Sequence, residues 1–185
     1  IIKNKINSKF IALTQSCTDA LELASSLINL KQGDEVIMPS YTFTSTANAV
    51  VLKGAKPVFA DVNVFDLNIN VNHIESLITK KTKAIFIVHY GGNCMDLSQL
   101  LKIKRKYNLY LIEDTAHSFL SKYNDKFAGT VGDIGAFSFH ETKNIVGGQG
   151  GAISINNKKL IKRANYLLDK GTDRIDFLND HKKQF

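Results

Sequence analysis

The strongest constraint on the fold is an alternation that runs from end to end of the chain. Short apolar runs take turns with stretches whose apolar residues recur every three or four positions. A continuous apolar run suits a strand buried on both faces, and three-to-four spacing places residues on one face of a helix. Strands are expected at 10–13, 35–38, 57–62, 84–88, 109–112, 134–139 and 152–155. Helices are expected at 18–30, where Ala20, Leu23, Ala24, Leu27 and Ile28 share a face, and at 44–52. A third runs from a cap at Asn72 through Ile78, with Glu75 completing a capping box. Asp96 is expected to cap a fourth through Tyr107, turning Leu97, Leu100, Leu101 and Ile103 inward, and a last helix spans 158–170 up to Gly171. Strand, helix, strand repeated in this way predicts an α/β domain with a mostly parallel sheet flanked by helices.

The chain has 185 residues, enough for one domain. With 44% hydrophobic and 22% charged residues, the composition excludes disordered, collagenous and coiled-coil classes. No apolar run approaches the ~18 residues of a membrane span. Two cysteines, Cys17 and Cys94, cannot build a disulfide scaffold, so a reducing, cytoplasmic setting is expected. Net charge is +7, but 21 of the 24 basic residues are lysines spread along the chain and only Arg105, Arg163 and Arg174 are arginines. Guanidinium forks dominate base and phosphate recognition, so this pattern argues against a nucleic-acid partner. The chain opens on Ile1, which suggests an internal piece of a longer protein or one whose start is missing.

Parallel sheets bind ligands beyond the carboxyl ends of their strands, and four such ends carry polar chemistry. Ser16-Cys17-Thr18-Asp19 opens a helix, where free amides and hydroxyls suit an anion such as phosphate, or where Ser16 or Thr18 simply caps the helix. Glu113-Asp114-Thr115-Ala116-His117 puts two carboxylates after a buried strand; one facing a crevice needs a positive partner, and the plainer reading is a loop cap. Asp114 and His117 are too few for a metal and no second cluster appears, so no metal is expected. Lys143 follows a strand through Phe137-Ser138-Phe139-His140-Glu141-Thr142 and precedes the glycines of 147–151. A crevice lysine forms a Schiff base with an aldehyde; an exposed hairpin lysine does nothing of the kind. The glycines would let backbone approach a ligand. Tyr41-Thr42-Phe43 offers an aromatic face. Together these supply what pyridoxal phosphate needs: a lysine for its aldehyde, a carboxylate for its ring nitrogen, an anion site and a ring face. Other reactive-looking residues have plainer readings. His89 reads as a satisfied structural histidine, His73 and His181 as surface residues, and Cys17 as a buried thiol without a nucleophile's partners.

The order Ser16-Cys17-Thr18, then Gly33-Asp34-Glu35-Val36-Ile37-Met38-Pro39-Ser40-Tyr41-Thr42-Phe43, then Glu113-Asp114, then 138–144 resembles the DegT/DnrJ family of pyridoxal-phosphate-dependent nucleotide-sugar aminotransferases. The wording around 40–53 and 140–144 is similar to the dTDP-4-amino-4,6-dideoxygalactose transaminases within it. The resemblance implies a fold-type I aminotransferase large domain over 1–185, truncated at both ends relative to the family, with the C-terminal small domain absent. It implies Lys143 as the catalytic, cofactor-bearing lysine, Asp114 at the ring nitrogen and Phe43 on the ring face. Thr18, the backbone of Asp19 and Ser138 would hold the phosphate, and His117 would lie near the phenolic oxygen. The partners implied are a nucleotide sugar, an amino-acid donor such as glutamate, and a second subunit in a homodimer. Family dehydrases carry histidine in place of that lysine, which Lys143 argues against. The alternative expectation is a catalytically incomplete fragment or remnant of such an enzyme.

Overall fold

The computed structural model describes residues 1–179. A four-residue helix, α1 (Ile2–Lys5), leads into β1 (Ile11–Thr14), α2 (Cys17–Leu27), β2 (Glu35–Pro39), α3 (Thr44–Val51), β3 (Lys56–Ala60), α4 (Val71–Leu77), β4 (Thr82–Val88), α5 (Ser98–Tyr107) and β5 (Tyr110–Asp114). Then come a short hairpin, β6 (Lys122–Tyr123) and β7 (Lys126–Phe127), and β8 (Ile134–Ser138), β9 (Gly151–Ile155), α6 (Lys158–Leu168) and α7 (Arg174–Asn179). His181 and Phe185 lie outside the described residues.

Seven strands form one sheet in the order β1-β9-β8-β5-β4-β2-β3. The pairs β2–β3, β2–β4, β4–β5 and β5–β8 are parallel, while β9 runs antiparallel to both β8 and β1. The register brings the site together. Val88 pairs with Asp114, Asp114 with Ala136, Ser138 with Gly151, and Gly151 with Thr14. The carboxyl ends of β1, β2, β4, β5 and β8 and the start of β9 therefore share one edge of the sheet.

Both faces of the sheet are covered, which is why its strands read as unbroken apolar runs. In β4, Ala84 and Phe86 pack with α2, α3 and α6, whereas Ile85 and Ile87 pack with α4 and α5. Side chains alternate across a strand, so a run apolar at every position needs a layer on each side. A third cluster, Ile6, Phe119, Phe137 and Ala152, closes the sheet beside the hairpin.

The expected helices form with shifted ends. Ser16 caps α2, its Oγ accepting from Asp19 N at 3.0 Å, and Asn29 ends the segment in the left-handed region at φ 57°. Asn70, not Asn72, caps α4: its Oδ1 accepts from Asn72 N at 3.1 Å. Glu75 consequently lies beyond the capping-box position, and its carboxylate takes Lys106 at 2.8 Å and Tyr107 at 3.1 Å instead. Asp96 does accept from Ser98 N at 2.8 Å, but from one residue before the cap, which is Leu97. Among the described residues, no helix is long and apolar enough to cross a membrane.

Candidate active site

The shared strand edge opens onto a cleft of about 450 Å³. Thr18, Phe43, Asp114, His117, Ser138 and Lys143 all line it. Asp19 does not: its side chain is outside the lining and its amide is spent on the Ser16 cap. The first amides of a helix have no intrahelical acceptor, so those of Cys17 and Thr18 remain to face an anion at this end. Ser138, buried at the end of β8, borders the same cleft. Gly151 lets these parts meet. A Cβ there would lie 2.4 Å from the Ser16 carbonyl carbon, so β9 passes the start of α2 only because the residue has no side chain. The glycines of 147–151 are expected to let backbone approach a ligand, but at Gly151 the close neighbour is protein backbone.

Asp114 is the electrostatic centre. Only 4% exposed, it accepts at Oδ1 from Ala116 N at 3.1 Å and from the Cys17 thiol at 3.9 Å, and at Oδ2 from Thr46 Oγ1 at 2.9 Å. Burial holds its carboxyl above the usual range despite these donors and the nearby charges of His117 and Lys143. A cation seated against it would favour its ionised form. The neighbouring Cys17 thiol is pushed well up by burial and by Asp114, which makes it a hydrogen-bond donor and not a nucleophile.

Lys143 sits in the turn after β8, its amide donating to His140 O at 2.9 Å. Its charge and, more strongly, burial push His117 below the usual imidazole range, with Asp114 opposing. His117 Nδ1 accepts from Gly91 N at 3.4 Å, which leaves the neutral ring's proton on Nε2. The ring of Tyr90 packs edge-on at 5.4 Å, and Tyr90 in turn lies 4.7 Å from the Tyr41 ring, tilted by 42°. Phe43, 73% exposed at the start of α3, presents an apolar face to the cleft.

His89 is the satisfied structural histidine that its position suggested: Nε2 meets Glu113 Oε2 at 2.9 Å and Nδ1 accepts from Met95 N at 3.3 Å. His73 lies at the surface beside Asp61. Sequence reasoning missed Thr46, which is fully buried and donates to Asp114 across 68 positions. The available signal was slight: Thr42, just before α3, and Thr46, in its first turn, bring their hydroxyls to 2.8 Å.

A parallel-sheet edge carrying a lysine, a buried carboxylate, a helix start and an aromatic face defines the fold-type I aminotransferase class. The chain belongs to the DegT/DnrJ/EryC1/StrS aminotransferase family, whose model matches residues 2–184. It is 44% identical over 174 residues to an uncharacterized protein of Methanocaldococcus jannaschii, covering 94% of this chain and 45% of that protein. It is 41% identical over 154 residues to the GDP-perosamine synthase of Escherichia coli O157:H7, covering 83% of this chain and 42% of the synthase. Among solved structures, an aminotransferase from Psychrobacter cryohalolentis superposes with a TM-score of 0.91 at 33% identity, over 99% of this chain and 47% of that one. NtdA of Bacillus subtilis with bound cofactor PMP gives 0.83 at 32% identity, over 90% of this chain and 38% of NtdA. The chain thus spans a little under half the length of the curated relatives it matches.

Proposed function

We propose that the protein to which this chain belongs is a pyridoxal-phosphate-dependent aminotransferase acting on a nucleotide-linked keto sugar. The observation that carries the reading is the convergence of Lys143, Asp114 and the start of α2 on one cleft. The residues present suit the cofactor. Asp114 is a buried carboxylate favoured in its ionised form by a cation, as a protonated pyridine nitrogen is. The Thr18 and Ser138 hydroxyls, with the amides of Cys17 and Thr18, suit its phosphate. Phe43 offers a face for its ring, and the Nε2–H of His117 is a donor for the phenolic oxygen. Asp19 serves through its amide, which fixes the Ser16 cap.

When bound, pyridoxal phosphate supplies an aldehyde that exchanges amines and a ring that accepts electrons from the amino donor. Lys143 would hold the group through its amine and would take up and return the proton at the donor's α-carbon. Asp114 would face the ring nitrogen and favour its protonated form. Glutamate is the proposed donor and a 4-keto-6-deoxy sugar the acceptor. The sequence resemblance favours a dTDP carrier, while a relative named for GDP-perosamine makes the GDP-linked sugar the comparison. A cytoplasmic homodimer is the proposed working form, consistent with the two free cysteines.

The test is an assay of the full-length protein with glutamate and either dTDP- or GDP-linked 4-keto-6-deoxyhexose. Amino-sugar formation is expected, faster with the dTDP substrate. Preference for the GDP substrate would overturn the carrier assignment, and no transfer to either would overturn the reaction class. The 185-residue segment alone is expected not to turn over. Turnover by it would contradict the view that the remaining half of such proteins completes the site.

A further inference from the structure

The first turn of α3 touches both ends of the cleft. Ser45 Oγ lies 2.8 Å from Thr18 Oγ1, at the start of α2. The next residue, Thr46, donates from Oγ1 to Asp114 Oδ2 at 2.9 Å. Consecutive side chains on a helix diverge by ~100°, so one rigid turn reaches the two sites in different directions. The turn is itself fixed, because Ala49 and Val50 are fully buried in the core beneath it. Phe43 and Thr42 immediately precede it, so the aromatic face belongs to the same unit.

Proton counting sets the sense of the hydrogen bonds. Thr46 has one hydroxyl proton, which goes to Asp114; the 2.8 Å contact with Thr42 must then have Thr42 as donor. Thr42 donates to Thr46, and Thr46 to the carboxylate. At the other end, a Thr18 hydroxyl that donates to an anion must accept from Ser45. Two parallel hydroxyl relays, each ending on a group that would touch the cofactor, leave from one turn.

The geometry points to Ser45 and Thr46 as positioning residues: the first turn of α3 sets the distance and orientation between the anion-binding start of α2 and the carboxylate of Asp114. This deepens the proposed function and rests on Asp114 facing the ring nitrogen of a bound pyridoxal phosphate. Thr46 lies outside the cleft lining and acts through Asp114; Ser45 borders the cleft and acts through Thr18. Thr46→Val removes the donor at nearly constant volume, and Thr46→Ser keeps it.

The experiment is a titration of the full-length protein with pyridoxal 5′-phosphate, followed by absorbance, for wild type, Thr46→Val, Thr46→Ser, Asp114→Asn and the Thr46→Val/Asp114→Asn pair. A lost hydrogen bond to a charged group corresponds to roughly tenfold or more in affinity. Thr46→Val is therefore expected to bind about tenfold more weakly, and Thr46→Ser within about threefold of wild type. In the Asp114→Asn background the Thr46→Val loss should shrink to about threefold or less, because the two act as one unit. Thr42→Val, at a half-buried position, is the second variant should Thr46→Val fail to fold; it should weaken binding in wild type and not in Asp114→Asn. Weak binding by Asp114→Asn with normal binding by Thr46→Val would overturn the positioning role alone. An equal loss with and without Asp114 would also overturn it, marking a general packing effect. Normal binding by Asp114→Asn would overturn the underlying reading, and this inference with it.

Discussion

His89 Nε2 lies 2.9 Å from Glu113 Oε2, with both side chains buried, behind the strand end whose next residue, Asp114, lines the cleft. Adjacent carboxylates on a strand face opposite ways, so one position organises structure while its neighbour meets the ligand. Glu113 also accepts from the amides of Gly129, Val131 and Gly132, at 2.9, 2.8 and 2.5 Å. It thereby fixes the turn before β8 and, through His89, the end of β4.

Glu113→Gln should therefore be destabilising without touching the cleft. Each hydrogen bond to a buried charged group contributes about 1.5–3 kcal/mol, and the carboxylate accepts several. Burial alone would push the Glu113 carboxyl up, but His89 and the backbone amides outweigh it and hold it below the usual range. A carboxylate lowered in the folded state contributes stability at neutral pH and loses it as pH falls through the carboxylate range. Thermal unfolding of the full-length protein between neutral and acid pH should show a lower midpoint for the variant and a weaker dependence on acid. An unchanged midpoint would contradict this role.

Asp114→Asn should have the opposite effect on stability. The folded carboxyl is raised, so the native state holds its proton to higher pH than the unfolded chain. Stability must then fall as pH rises from the ordinary carboxylate range through the raised value. In the cofactor-free protein the Asn variant should lose that decline and match or exceed wild type at neutral pH. Transamination should drop by more than the ~10²–10⁴ usual for one acid–base group. A near-normal rate would place the functional carboxylate elsewhere.

Gly151→Ala tests the close approach at the start of α2. The added carbon would lie 2.4–2.6 Å from the backbone of Ser16 and Cys17, which cannot move without shifting the helix start. Overpacking of this kind typically costs about 1–3 kcal/mol. The variant should also bind pyridoxal phosphate more weakly than its stability alone explains, measured by titration beside thermal unfolding. Wild-type affinity would mean that this end of the helix does not hold the phosphate.

The sheet was legible because its physics is written locally. The run at 84–88 is apolar at every position, as expected of a strand buried on both faces, and it forms the heart of β4. The cleft residues were legible as polar segments following such runs, and six of the seven expected residues line it. Asp19 lies outside the lining because Ser16 takes its amide, a contact that the sequence does not show. Asn70 and Asn72 are equally good caps on paper, and only the chain's entry angle separates them. The hairpin strands Lys122–Tyr123 and Lys126–Phe127 are too short to show a period. Thr46 was hidden for a different reason: its role depends on a partner 68 residues away that only the folded sheet brings near.

Lys143 is proposed to carry the cofactor in a cleft that Asp114 also lines. Borohydride reduction of the full-length protein loaded with pyridoxal phosphate, followed by peptide mass mapping, tests it directly. A phosphopyridoxyl group is expected on Lys143 and should be lost in Lys143→Ala. A stable label on any other lysine, with Lys143 unmodified, would contradict it.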